Sequence, residues 1–436
     1  MKYRDGVIDK ILEEISKDTF IEICRRNLKD FTRKRKVMPD DIIRYELNKR
    51  GLTSKMEIRN FNKINDIKKI SSPGMFKQRE KLNPRAFTYL IQVNLKEFYC
   101  NAIDEVKTFK GYIVEGIDGS DFEIPNTKLA RKEYNGNLPD QCARATISTC
   151  YDLLNKYTLD TIVEEYNHSE TEMLLRHQEV INSEQLIGNY KSIIIADRNY
   201  RNLDFFYNCT KNGQKFLIRI SASSYKKETN KMKSNDELIE IGYEYNRARY
   251  YKDSAPELYA YLKNGNTIKV RCVKIVLDTG EVEYLLTNLN IEEFSYDDIN
   301  ELYNLRWKIE INYKHLKNNI KIECITSSKP VLIEQDIYSQ ILIANILQAF
   351  INDSDEDMKK LKYKYEVQTN KNMAIGIFKD YFIYILLEEN SRKRTEMMKE
   401  FMDEIEEYFI YNIPNRKNPR NNNPKNRYNI NQRKSF

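Results

Sequence analysis

Tyr303, Arg306, Glu310 and Lys317 stand in the stretch YNLRWKIEINYKHLK, spaced by three, four and seven residues. At about 100° per residue, the last three fall within roughly 60° of Tyr303 on a helix. Leu302, Leu305, Ile309, Leu316 and Ile320 make an apolar stripe beside them, as a core-facing seam would. The next face then presents a phenol, a guanidinium, a carboxylate and an ammonium. A solvated face with an Arg306–Glu310 ion pair would leave the same pattern, so the remaining carboxylates matter. Asp118 follows the apolar run YIVEGI, and Asp197 follows SIIIA. Both read as strand ends, where sites assemble in α/β sheets. Asp118, Asp197 and Glu310, brought together, would repel one another unless a cation were present. Mg²⁺ suits them as a hard cation that takes oxygen ligands and keeps several waters. Two ions about 4 Å apart would activate a nucleophile and stabilise the leaving oxygen of a phosphoryl transfer. Arg306 and Lys317 would hold phosphates beside them. Asp121 and Glu123 compete with Asp118 as ligands, and Asp118 is preferred because it ends the apolar run.

The elements that must position these groups follow from pattern. Residues 1–100 read as helical: PDDIIRYELNKRG opens on Pro and Asp and stops at Gly51, and Ser54 with Glu57 forms a capping box. Two helices open at Ser72–Pro73 and Asn83–Pro84, and the first presents Lys77, Arg79 and Lys81. Short helices, tight turns and a basic face fit a helix-turn-helix-like DNA binder; a plain bundle with a basic surface fits as well. From residue 110 the pattern becomes strand-rich. GYIVEGIDGS, FEIPNT and ARATISTCYDLLN are strand candidates, 170–187 a helix, and YKSIIIADRNY a strand buried on both faces. Residues 203–294 are richer in strands, with a hairpin around Asp278–Gly280. A long helix begins at FSYDDINELYNLRWKIE, and 338–414 is mostly helical. The fold class is α/β.

Composition narrows the function. The 436 residues carry a net charge of +7, unevenly spread: 1–100 hold 24 Lys and Arg against 14 Asp and Glu, and 415–436 hold seven Lys and Arg and no acid. Basic ends around an acidic centre suit a polyanion at the ends and cations in the middle. No apolar run approaches the roughly 20 residues of a membrane helix; ILIANILQAFI reads as a buried helix. The charged start MKYRDGVIDK lacks the apolar core of a signal peptide. Seven cysteines without a CxxC pair read as reduced thiols in the cytoplasm. Three histidines offer no zinc spacing. His315 reads as a surface or DNA-facing residue, and Trp307 as packing.

The pattern Y-x2-R-x3-E-x6-K, carried by Tyr303, Arg306, Glu310 and Lys317, resembles the signature of the bacterial DDE transposases of the insertion-sequence "IS-four" family. IDGSDFEIPNT is similar to that family's first-aspartate motif and IIIADRNY to its second. The spacing fits too, with 79 residues from Asp118 to Asp197 and 113 more to Glu310. The resemblance implies a ribonuclease-H-like catalytic core with a β-rich insertion, a helical N-terminal DNA-binding domain and C-terminal helices. It implies Asp118, Asp197 and Glu310 as catalytic ligands of two Mg²⁺ ions, with Mn²⁺ able to substitute. It implies Tyr303, Arg306, Lys317 and Arg198 as DNA contacts, double-stranded DNA at element ends and target as substrate, and a homodimer on paired ends. The domains expected are 1–100 for DNA binding, 101–202 and 295–370 for the split core, 203–294 for the insertion, 371–414 for C-terminal helices, and 415–436 for a basic disordered tail. Asn199 departs from the family's glycine, and its tolerance of positive φ would keep the turn. A nuclease of the same fold that cuts without joining, and a catalytically idle DNA-binding protein, remain as rival readings.

Overall fold

The computed structural model describes residues 2–64, 69–136, 138–139, 142–221, 223–276, 280–361 and 363–413. The turn residues Asp278 and Thr279 and the basic tail from 415 lie outside them.

An eight-stranded sheet organises the chain, in the order β3-β2-β1-β4-β5-β8-β7-β6. Its strands are β1 (Tyr112–Glu123), β2 (Arg144–Asp152), β3 (Thr158–Glu165), β4 (Lys191–Ala196), β5 (Lys215–Ile220), β6 (Asp236–Ile241), β7 (Ile268–Val276) and β8 (Val282–Thr287). β1, β2 and β3 form an antiparallel meander, while β4 runs parallel to β1 and β5 parallel to β4. Parallel neighbours need crossovers. Helix Glu170–Ser183 precedes β4, and helix Leu203–Asn212 links β4 to β5. This five-stranded arrangement has the strand order expected of a ribonuclease-H-like core. The residues of β4 from Ile193 to Ala196 are fully buried, as their unbroken apolar run requires.

Two strand candidates fuse. GYIVEGIDGS and the start of FEIPNT make one 12-residue strand, so Asp118 lies within β1 and does not end it. What ends beside Asp118 is the parallel partner, β4. The stretch 203–294, expected as a separate insertion, begins with helix Leu203–Asn212 and β5, which belong with β4, and only its later strands β6, β7 and β8 add antiparallel strands to the far side of the same sheet, interspersed with short helices.

Helices Tyr3–Ile15, Pro39–Leu47 and Arg85–Asn101 pack on the 30-residue helix Pro330–Lys359, whose apolar residues lie in the core with those of the sheet. Helices Lys371–Leu387 and Ser391–Glu406 pack on it from the C-terminal side. ILIANILQAFI is its buried centre. No helix among the described residues is long and apolar enough to cross a membrane. A two-stranded sheet of Glu366–Thr369 and Phe409–Asn412 interrupts the helical C-terminal region; these four-residue strands are too short to show a period. The Ser54–Glu57 capping box does not form: Glu57 instead accepts from the backbone N–H of Arg50 and Leu52.

Candidate active site

Strand register brings the two aspartates together. The parallel ladder between β1 and β4 closes at Ile117 opposite Ala196. Asp118 and Asp197 are the next residues on the two chains. Beyond that point β1 continues against β2 alone, with Asp118 opposite Thr149. The Asp118 carboxylate takes the Gly119 N–H at 3.0 Å, and Asp197 takes the Asn199 N–H at 2.8 Å. Burial pushes the Asp118 carboxyl up to about 7. Glu170 and Asp197 add to that rise, against the pull of the Gly119 N–H and the Arg306 guanidinium.

Glu310 comes from the helical stretch 296–320. The sequence predicts one long helix there, but the structure has three parts. Helix Tyr296–Leu305 gives way at Arg306 to i, i+3 bonds, from Arg306 N–H to Tyr303 O and from Ile309 N–H to Arg306 O. Helix Trp307–His315 follows, then a π turn at Leu316–Ile320, closed by Lys321 at φ +59°. The expected apolar stripe is nonetheless inward: Leu302, Ile309, Leu316 and Ile320 are buried, and Leu305 packs partly buried. Tyr313, one turn after Glu310, fixes this segment to the sheet. Its hydroxyl donates to the Asp118 carbonyl oxygen at 2.6 Å and accepts from the Thr149 N–H at 3.1 Å.

Arg306 stands among the acids. Its Nη2 is 3.0 Å from Glu310 Oε1, and its charge also acts on Asp118 and Asp197. The guanidinium lies over the rings of Tyr303 and Trp307, at 5.8 and 5.2 Å from their centroids. Among the described residues, no three Asp, Glu, His or Cys side chains already converge as a closed metal cage. One arginine partly neutralises this group of acids.

A family model described as a transposase DDE domain matches residues 113–346, more than half of the chain and the whole of this constellation. The chain belongs to the DDE transposase domain family. The transposase of insertion sequence element IS4 from Escherichia coli strain K12 is 24% identical to this DDE chain over 173 residues, 38% of this chain and 37% of that protein. The Escherichia coli transposase for insertion sequence element IS421 is 31% identical over 70 residues, 16% of this chain and 19% of its own. The chain thus spans well under half the length of these relatives. Among solved structures, a piggyBac transposase synaptic complex with hairpin DNA covers 93% of this chain and 85% of its own, at 12% identity and a TM-score of 0.42.

Several of the expected residues are placed differently in this DDE chain. Tyr303 and Arg306, expected to face DNA, are each only 6% exposed; the helix turns them onto the acids and the core. Lys317 is partly buried and tied to β1, its Nζ 2.8 Å from Ser120 Oγ and 2.5 Å from the Asp121 carbonyl, over the Phe122 ring. Arg79 is not a DNA contact at all. It is fully buried, 2.5 Å from Glu46 and 2.6 Å from Asp336, because helix Ser72–Arg79 turns that side inward against helix Pro330–Lys359. Lys77 and Arg198 are exposed, and Lys81 is partly exposed. His315 is buried and hydrogen-bonded to Asn319, not on the surface. Trp307, expected to pack, is 49% exposed. Asn199 sits in the 3₁₀ turn Arg198–Tyr200 and is absent from the positive-φ residues, so the turn needs no glycine.

Sequence reasoning missed Tyr313 and Glu170. Tyr313 lies inside the quoted signature, but its buried hydroxyl bonds depend on β1 and β2. Glu170 opens helix Glu170–Ser183 after the Ser169 N-cap, where an acid reads as ordinary first-turn chemistry.

Proposed function

We propose that this protein is a DNA transposase that binds the inverted repeats at an element's ends, cleaves there, and joins the freed 3′-OH ends to target DNA. The observation that carries this reading is the register of β1 against β4. It sets Asp118 and Asp197 side by side, facing a helix that brings Glu310 and is pinned by Tyr313 to the Asp118 backbone. The match to a transposase domain family and the transposase names of its relatives support the same reading.

Asp118, Asp197 and Glu310 would hold two Mg²⁺ ions. The donor set fits: all are hard oxygens, and Asp118 is pushed up to about 7 by burial and neighbouring acids, a cost that a cation beside it would relieve. Bound there, the ions supply Lewis-acid stabilisation and activation of water or a 3′-OH. The protein's own groups do the positioning. Arg306 gives up Glu310 and turns to a phosphate, with the Tyr303 ring behind it. Lys317 braces the β1 edge that carries Asp118. Exposed Lys77 and Arg198, with partly exposed Lys81, grip the DNA backbone. Two copies on paired ends would meet through the C-terminal helices, and the work would be done at the nucleoid, in the cytoplasm.

The test is a supercoiled plasmid carrying the element's flanking ends, incubated with wild type or Glu310→Gln, with Mg²⁺ or with EDTA. Mg²⁺-dependent breaks at the ends, lost in the variant, with joined products, are the expected result. Equal cutting by both proteins would remove Glu310 from the chemistry. Cutting without joining would make the protein a nuclease. Tight end binding without cutting would leave an idle DNA-binding protein.

A further inference from the structure

Residues 25–38 join helix Asp18–Cys24 to helix Pro39–Leu47 and form no helix or strand of their own. Connections of this length are uncommon and are usually functional. This one carries seven Lys and Arg and a single acid, Asp30. The Asp30 carboxylate is engaged elsewhere: it accepts from the Asn27 N–H and from the Asn27 side-chain amide, each at 3.0 Å.

The loop is held at its base and at its centre. Arg25 bridges Leu82, the Arg26 N–H donates to the Lys81 carbonyl at 3.1 Å, and the Asn83 N–H donates to the Cys24 carbonyl at 2.8 Å. Phe31 buries its ring in the core and accepts a backbone φ of +53° to do so. Between these anchors the chain turns at Asn27–Asp30, closed by the Asp30 N–H on the Asn27 carbonyl at 2.8 Å. Leu28 stands at the tip of that turn. At 90% it is the most exposed large hydrophobic side chain among the described residues.

A lone exposed leucine on a smooth surface needs no explanation. This one is held out by a closed turn, beside a concave site of about 290 Å³ lined by Lys29, Arg33, Arg35 and Lys81. The four cations converge from two separate parts of the chain. Such a concavity fits a phosphodiester, and an apolar tip next to it fits the gap between two bases. A bilayer fits less well: one leucine buries less apolar surface than a single acyl chain, which itself anchors a protein only marginally.

We infer that the 25–36 loop is a DNA wedge: Leu28 enters the minor groove and partly unstacks one base step, while Lys29, Arg33, Arg35 and Lys81 hold the adjoining backbone phosphate. This rests on the proposed reading that duplex DNA at an element's ends is the substrate. The groove follows from shape, since a tight turn with one apolar tip suits the narrow minor groove, whereas the major groove admits a whole helix or ribbon. Pyrimidine–purine steps unstack most easily, so ends carrying one at this point are favoured.

The test uses the full chain and duplexes of the element's end, each carrying one 2-aminopurine, whose fluorescence rises on unstacking. Wild type, Leu28→Ser, Leu28→Met, the double variant Arg33→Ala with Arg35→Ala, and Leu238→Ser, another exposed leucine, are compared at saturating protein. Wild type is expected to raise emission several-fold at one step. Leu28→Ser should melt with wild type, because solvent already surrounds the side chain, and should bind the duplex without that rise. Leu28→Met and Leu238→Ser should keep it. The double variant should keep it at saturation but reduce the salt dependence of binding by about one phosphate contact. Wild type that binds the ends but raises emission at no step would overturn the wedge and leave the transposase reading standing. An undiminished rise in Leu28→Ser would overturn it too, as would Leu28-dependent pelleting with phosphatidylserine vesicles in place of any DNA effect. Wild type that binds the ends no better than unrelated duplex would overturn both readings.

Discussion

The Tyr313 hydroxyl lies 2.6 Å from the backbone carbonyl oxygen of Asp118. Glu310 is one turn earlier on the same helix, so the separation of the first and third acids is set through backbone and a buried phenol. Carboxylates alone could not set it, since they repel.

Tyr313→Phe keeps the ring and removes that tether. It leaves the Thr149 N–H and the Asp118 carbonyl short of a buried partner, at a cost of about 1–3 kcal/mol. Urea unfolding should show the loss, and single-turnover cleavage should slow more than DNA binding weakens. Unchanged stability and rate would mean the helix is held by its apolar seam alone.

Arg79 and Lys77 sit two residues apart and should behave oppositely. Arg79→Met leaves Glu46 and Asp336 inside the protein with Lys49 as their one remaining cation, and breaking such a buried network costs roughly 3–5 kcal/mol. Lys77→Ala removes an exposed cation and should leave the denaturation midpoint nearly unchanged. Similar midpoints for the two variants would contradict the buried placement of Arg79.

Lys77→Ala and Arg198→Ala should instead show up in DNA binding. Each is expected to weaken binding to unrelated duplexes as much as to element ends, and to reduce the salt dependence by about one phosphate contact. A filter-binding series against salt concentration measures this. An unchanged salt slope in both variants would remove them from the DNA interface.

His315 gives stability a pH dependence. Burial, with Lys371 nearby, pushes its imidazole down to about 4 from an ordinary 6.5. Its contribution is therefore fully present above pH 6.5, where it is neutral folded or unfolded. It is lost as pH falls toward 4, where the unfolded chain binds a proton that the folded chain refuses. Between pH 7 and 4.5, His315→Asn should lose roughly 2–3 kcal/mol less stability than wild type. Parallel pH curves for the two would refute the buried, neutral assignment.

The sequence is most legible where the signal is local. SIIIA is buried on both faces as its composition demands, and the apolar stripe from Leu302 to Ile320 points inward. Which residues share the site depends on pairing between distant segments, and there the sequence says less. The spacing of Arg79 suited a basic surface; only the crossing of Pro330–Lys359 shows which side of its helix is buried. The ideal helical angle does not describe Lys317, which lies in the π turn Leu316–Ile320 and bonds to Ser120. Thr158–Glu165 has no counterpart in the sequence reading, yet it is the edge strand of the core meander.

The end of the β1–β4 ladder sets how this protein tolerates change. Substitutions along 112–117 would be graded, each altering burial or packing by its own amount. Gain or loss of one residue there is different in kind. It turns Asp118 to the opposite face of the sheet and turns Gly119 toward the helix that carries Glu310. The chain could still fold, express and bind DNA, but with its first acid on the wrong side. On the proposed reading, cleavage would then be lost by a change of length alone, with Asp118, Asp197 and Glu310 all still present.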